Sequence, residues 1–151
     1  MRQSLRLFVL LCIAACNLDS TDVETRDTAN QFPLRAEWQS SITPMAASTV
    51  SGSAHIREYR AYYEAQMSIT GGTPARTYLW RIYPGTCTNS GTTVFGGSTQ
   101  AFPALVTNAS GAATAAPLLA GALDSTAVYN VRVQTGAAIT TTVACGNLQR
   151  S

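Results

Sequence analysis

The sequence predicts an all-β domain, and three observations point there. Apolar and polar residues alternate with period two, clusters of turn-forming residues separate the alternating runs, and no convincing helical period follows the N-terminal segment. The chain has 151 residues, 46% of them apolar and only 12% charged, which suits one domain with a buried core rather than a disordered or collagen-like chain. All ten basic residues are arginine, and His55 is the one histidine, so a site built from several imidazoles is excluded.

Residues 1–15 read as a signal segment. Arg2 and Arg6 precede an apolar run from Leu7 to Ala15. The run is shorter than the roughly 20 residues needed to cross a bilayer, and it stops at Cys16 before a polar stretch. Ile13-Ala14-Ala15-Cys16 resembles the bacterial lipobox. That resemblance implies that Cys16 becomes the lipidated first residue of a lipoprotein, held by more than one acyl chain, each adding about 0.8 kcal/mol per buried methylene. The alternative is an ordinary signal peptide cut nearby. Asn17 carries no inner-membrane retention signal, which favours the outer membrane of a bacterial envelope. Residues 16–33 then form an acidic, solvated tether with Asp19, Asp22, Glu24 and Asp27 against Arg26. With Arg2 and Arg6 removed, eight arginines face eight acids, and this near-zero charge gives no support for a nucleic-acid partner.

The domain spans residues 34–151. Leu34 to Gln39 and Thr49 to Ile56 are its first expected strands. Ala61, Tyr63, Ala65, Met67 and Ile69 alternate with Tyr62, Glu64, Gln66 and Ser68, which is a half-buried strand. Gly71-Gly72-Thr73-Pro74 supplies a turn, and Thr77 to Tyr83 resumes with Tyr78, Trp80 and Ile82 on one face and Leu79, Arg81 and Tyr83 on the other. The economical reading joins these two strands as a hairpin. Ala112 to Leu118, Ala127 to Gln134 and Ile139 to Cys145 complete the set; Pro117 and Gly121 oppose a long helix in the alanine-rich stretch. Seven or so short strands between turn signals predict an antiparallel sandwich or barrel.

Once Cys12 leaves with the signal and Cys16 takes lipid, Cys87 and Cys145 are the remaining thiols of an exported domain, and an oxidising compartment joins them. The bridge closes a loop of 59 residues and contributes about 4 kcal/mol in the chain-entropy account. A structural staple is favoured over redox chemistry, because the pair lacks Cys-x-x-Cys spacing and neither thiol is flanked by Lys or His.

Trp80-Arg81-Ile82-Tyr83-Pro84-Gly85-Thr86-Cys87, followed downstream by Val143-Ala144-Cys145-Gly146, resembles the disulfide framework of copper-zinc superoxide dismutases and their chordin-domain relatives. Tyr129-Asn130-Val131-Arg132 is similar to the Asn-Val-His stretch of the chordin-type relatives. The resemblance covers roughly Val50 to Leu148 and implies a Greek-key β-sandwich; an immunoglobulin-like sandwich is the alternative. It also implies where metal ligands would stand, and there the chain departs. The His-x-His positions hold Arg81 and Tyr83, the later strand histidine is Arg132, Thr88 to Phe95 contains no histidine, and the expected catalytic arginine is Thr142. A guanidinium has no lone pair to offer a metal. The expectation is therefore no metal, no cofactor and no catalysis.

In that alignment Arg81, Tyr83 and Arg132 share an outward face, where two guanidiniums beside a ring could take a carboxylate, phosphate or acidic glycan. The competing view is a solvated face whose arginine stems pack on Tyr83. His55 reads as a surface residue. Trp38 and Trp80 with Tyr59, Tyr62, Tyr63 and Tyr78 read as packing rather than a sugar platform. Asn108-Ala109-Ser110 is a glycosylation sequon that a bacterial lipoprotein leaves unmodified. The expected function is a non-catalytic envelope lipoprotein, attached to the membrane through Cys16 and capturing an envelope protein or glycan. A self-associating surface-layer or filament subunit is the alternative, and a divergent metal-dependent oxidoreductase is a weaker one.

Overall fold

A computed structural model describes residues 33–92, 94–97, 100–135 and 141–151. The signal segment, Cys16 and nearly all of the tether lie outside the described residues. Among the described residues nine strands follow in order: β1 (Leu34–Pro44), β2 (Ser51–Tyr59), β3 (Tyr63–Thr70), β4 (Thr77–Pro84), β5 (Leu105–Val106), β6 (Ala113–Ala115), β7 (Leu118–Leu119), β8 (Tyr129–Thr135) and β9 (Thr141–Arg150). All pairings are antiparallel, and no α-helix occurs among the described residues.

The strands form one sheet in the order β5-β4-β8-β9-β1-β2-β3-β6, with β7 also on β3. The sheet curls until β5 and β6 touch, which makes a nearly closed barrel or sandwich. Strand β8 returns past three short strands to lie beside β4, so β8-β4-β5-β6 follows the Greek-key order.

Period-two alternation decides what lies inside. Trp38 and Ile42 on β1, Ile56 on β2, Ala65, Met67 and Ile69 on β3, Tyr78, Trp80 and Ile82 on β4, and Val131 and Val133 on β8 are buried in one contiguous core. Trp80 is anchored twice: its indole N–H donates to the Pro103 carbonyl at 2.9 Å, and Phe102 meets its ring edge-on at 4.9 Å. A buried indole needs such an acceptor.

The structure corrects the expected β3–β4 hairpin. The two strands do not pair; β3 neighbours β2 and β6, whereas β4 neighbours β5 and β8. The intervening segment bonds to the 107–111 loop instead, through Gly72 N–H to the Gly111 carbonyl and Ala75 N–H to the Thr107 carbonyl. Gly111, at φ 76°, sits so close to Gly72 that a Cβ there would strike the Gly72 carbonyl. Turn residues marked a change of direction but not the partner, and this connection crosses the seam of the barrel. The strand expected over Ala112 to Leu118 is likewise divided into β6 and β7 around Pro117, whose carbonyl accepts from Ala65 N–H. The last strand runs on to Arg150, five residues beyond the expected end, and the start expected for it at Ile139 lies outside the described residues.

Candidate functional site

Strand register brings the expected residues together. Arg81 on β4 stands opposite Arg132 on β8, Arg132 opposite Cys145 on β9, and Cys145 opposite Thr43 on β1, so one row crosses the outward face of four strands. In the adjacent row Tyr83 faces Asn130 and Asn130 faces Asn147.

The loop after β4 is tied down beside this face. Cys87 and Cys145 form a disulfide with a sequence separation of 58. Asn147 Oδ1 accepts from Cys87 N–H at 2.8 Å. Asn130, fully buried, donates through Nδ2 to the Gly85 carbonyl at 2.9 Å and Ser90 Oγ at 3.1 Å. Asn130 and Asn147 therefore supply the loop with the partners a sheet edge would otherwise give.

The three residues expected to share an anion site differ in how free they are. Tyr83 is buried, and its hydroxyl donates to Gln134 Oε1 at 3.4 Å. Arg132 lies over the Tyr83 ring at 5.5 Å and donates through Nε to Asn130 Oδ1 at 3.1 Å and through Nη2 to the Cys87 carbonyl at 3.4 Å. It is thus largely committed to the protein. Arg81 is not: its Nε is buried without a hydrogen-bond partner, and it makes no ion pair with a described residue. Two like charges directly opposite in a ladder repel. The acids of the domain lie elsewhere, with Glu37 bonded to His55 and Arg57 and Asp124 bonded to Thr126.

Beyond the disulfide the face opens into a cleft of about 520 Å³ lined by Gln39, Ser41, Ser53, His55, Cys145 and Gln149, among others. It lies along an interruption of the β1–β9 ladder, which pairs Gln39 with Gln149 and Thr43 with Cys145 but not the residues between. Gly146 forms part of this cleft; a Cβ there would run into Ser40 Oγ and the Ser41 carbonyl. Sequence reasoning missed the cleft. Its signal, polar residues alternating with core residues on β1, β2 and β9, was visible but looks like any solvated face. His55, expected at the surface, is about one-third exposed with Nδ1 3.4 Å from Glu37 Oε1.

The aromatic residues fall mostly inside. Trp38, Trp80 and Tyr78 belong to the core, Tyr63 packs against Trp38 at 6.3 Å, and Tyr59 and Tyr62 stack on each other at 4.8 Å near the β2–β3 turn. Burial pushes the Tyr63 phenol above its ordinary pKa, and the neighbouring Glu58 carboxylate adds to the shift. Asn108 uses its side-chain oxygen to close its own turn, accepting from Ser110 N–H and Ala112 N–H at 3.0 Å each. Among the described residues no three His, Cys, Asp or Glu side chains gather as a metal site, and no helix is long and apolar enough to cross a membrane. No protein-family model matches the chain, and no curated protein matches it in sequence.

Proposed function

We propose that this chain is a non-catalytic lipoprotein of the bacterial cell envelope, a binding module on a membrane-anchored tether, whose domain captures an anionic group at Arg81. The observation that carries the binding reading is the Arg81–Arg132 pair. Two arginines stand opposite each other in the β4–β8 ladder, one of them has a buried and unpartnered Nε, and no carboxylate of a described residue bonds to either. A carboxylate or phosphate beside this pair would offset the repulsion and, with a turn of the Arg81 side chain, accept from its guanidinium. Arg132, held by Tyr83, Asn130 and Cys87, serves as the fixed wall, and Arg81 is the group that engages the ligand.

The resemblance to copper-zinc superoxide dismutases belongs to the same reading. A Greek-key order, a loop after β4 carrying Cys87 and a last strand carrying its partner Cys145 all support a related scaffold. Arginines where the metal ligands would stand support a face turned from metal binding to anion binding. The lipobox-like Ile13-Ala14-Ala15-Cys16 supports the anchor and an outer-membrane address.

The test is an NMR titration of the full chain with sodium galacturonate at low salt, following the arginine Nε–H resonances. The Arg81 signal is expected to shift in a saturable way. A signal that stays unmoved while the disulfide is intact would reject the anion reading.

A further inference from the structure

We infer that the ligand is a short acidic oligosaccharide, with a carboxylate at Arg81 and sugar hydroxyls in the cleft beyond the disulfide; this rests on the anion reading above. The cleft and the arginine face are neighbours rather than separate features. Cys145 lines the cleft and stands opposite Arg132 in the β8–β9 ladder, while Cys87 lines the cleft and accepts from Arg132 through its carbonyl. Arg81, Arg132, Cys145 and Thr43 follow one another across four strands, so the row extends about 14 Å at the usual strand spacing of about 4.8 Å.

The lining chemistry selects the ligand class. Gln39, Asn147 and Gln149 carry carboxamides, Ser41, Thr43 and Ser53 carry hydroxyls, and His55 carries an imidazole; no Arg, Lys, Asp or Glu is among the lining residues. Carboxamides and hydroxyls both donate and accept, which is what neighbouring ring hydroxyls require. His55 directs Nδ1 to Glu37, so Nε2 is the ring atom available to a ligand. The absence of cationic lining opposes a polyphosphate or a lipid headgroup cluster, which would need charge along its whole length. The scarcity of apolar side chains opposes a hydrophobic ligand.

The experiment is calorimetric titration of the oxidised full chain with trigalacturonate, with monomeric galacturonate, and with the methyl ester of the trimer. Trigalacturonate is expected to bind about tenfold tighter than the monomer, and the ester to lose that gain. Gln39→Ala combined with Gln149→Ala, two exposed positions whose change leaves the core intact, is expected to bring the trimer close to the affinity of the monomer. A trimer that binds no tighter than the monomer, or a double variant indistinguishable from wild type, would overturn the saccharide inference while leaving anion capture standing. Equal binding of ester and acid would remove Arg81 from the site. No binding of any of the three would reject both readings.

Discussion

At the scale of single residues, Arg81 differs from the arginines that pack on aromatic rings. Arg76 and Arg150 lie over Tyr78 and Trp38 at 5.9 and 5.8 Å, and Arg132 lies over Tyr83 while donating to two oxygens. Each covers an aromatic face with a cation, an arrangement worth about 0.5–1 kcal/mol where exposed. Arg81 has no such return and leaves a buried donor unsatisfied. Asp124 shows the opposite case. Thr126 donates its backbone N–H at 2.8 Å and its hydroxyl at 2.7 Å to this carboxylate, and the backbone bond first, then the hydroxyl, hold it below the usual carboxylate pKa. A depressed pKa stabilises the fold above the unfolded value, and that contribution disappears as pH falls through the folded value. NMR titration should find the Asp124 carboxyl below the ordinary range. In Thr126→Val, which keeps the backbone bond, it should move only part of the way back.

At the scale of elements, β4 was the most legible part of the chain. Tyr78, Trp80 and Ile82 alternate with Arg81 and Tyr83 in the sequence, and they alternate between core and outward face in the sheet. Strand β5 was not legible, because two residues carry no period; Leu105–Val106 is a strand only through pairing with Thr77 and Tyr78. The β3–β4 connection misled for a related reason, since glycine and proline announce a turn whether the next strand pairs locally or crosses a seam. The shared face of Arg81, Tyr83 and Arg132 could be placed by the resemblance, but Arg132's bonds to Asn130 and Cys87 depend on a loop that no local pattern positions. The cleft was hidden because it lies where the ladder between β1 and β9 is interrupted, and these strands are about a hundred residues apart. Gly146 is the residue that permits their close passage. Gly146→Ala should cost about 1–3 kcal/mol in denaturant unfolding, by forcing the added methyl against Ser40 and the Ser41 carbonyl.

At the scale of the molecule, a nearly closed barrel is held by one continuous core, and the long loop after β4 is fastened to the last strand by the disulfide. Reduction of Cys87–Cys145 should lower stability by about 4 kcal/mol, seen as a fall in Tm on the order of 10–20 °C, and should loosen one wall of the cleft. The central claim, that Arg81 is kept for a ligand rather than for the fold, is tested most directly by thermal unfolding of wild type and Arg81→Met with and without trigalacturonate. Without the ligand the variant should be more stable by about 1–2 kcal/mol, since it removes both a like-charge pair and an unsatisfied buried donor. With ligand present, wild type should gain stability and the variant should not. A variant that unfolds earlier than wild type without ligand, or that gains as much from the ligand, would contradict the account.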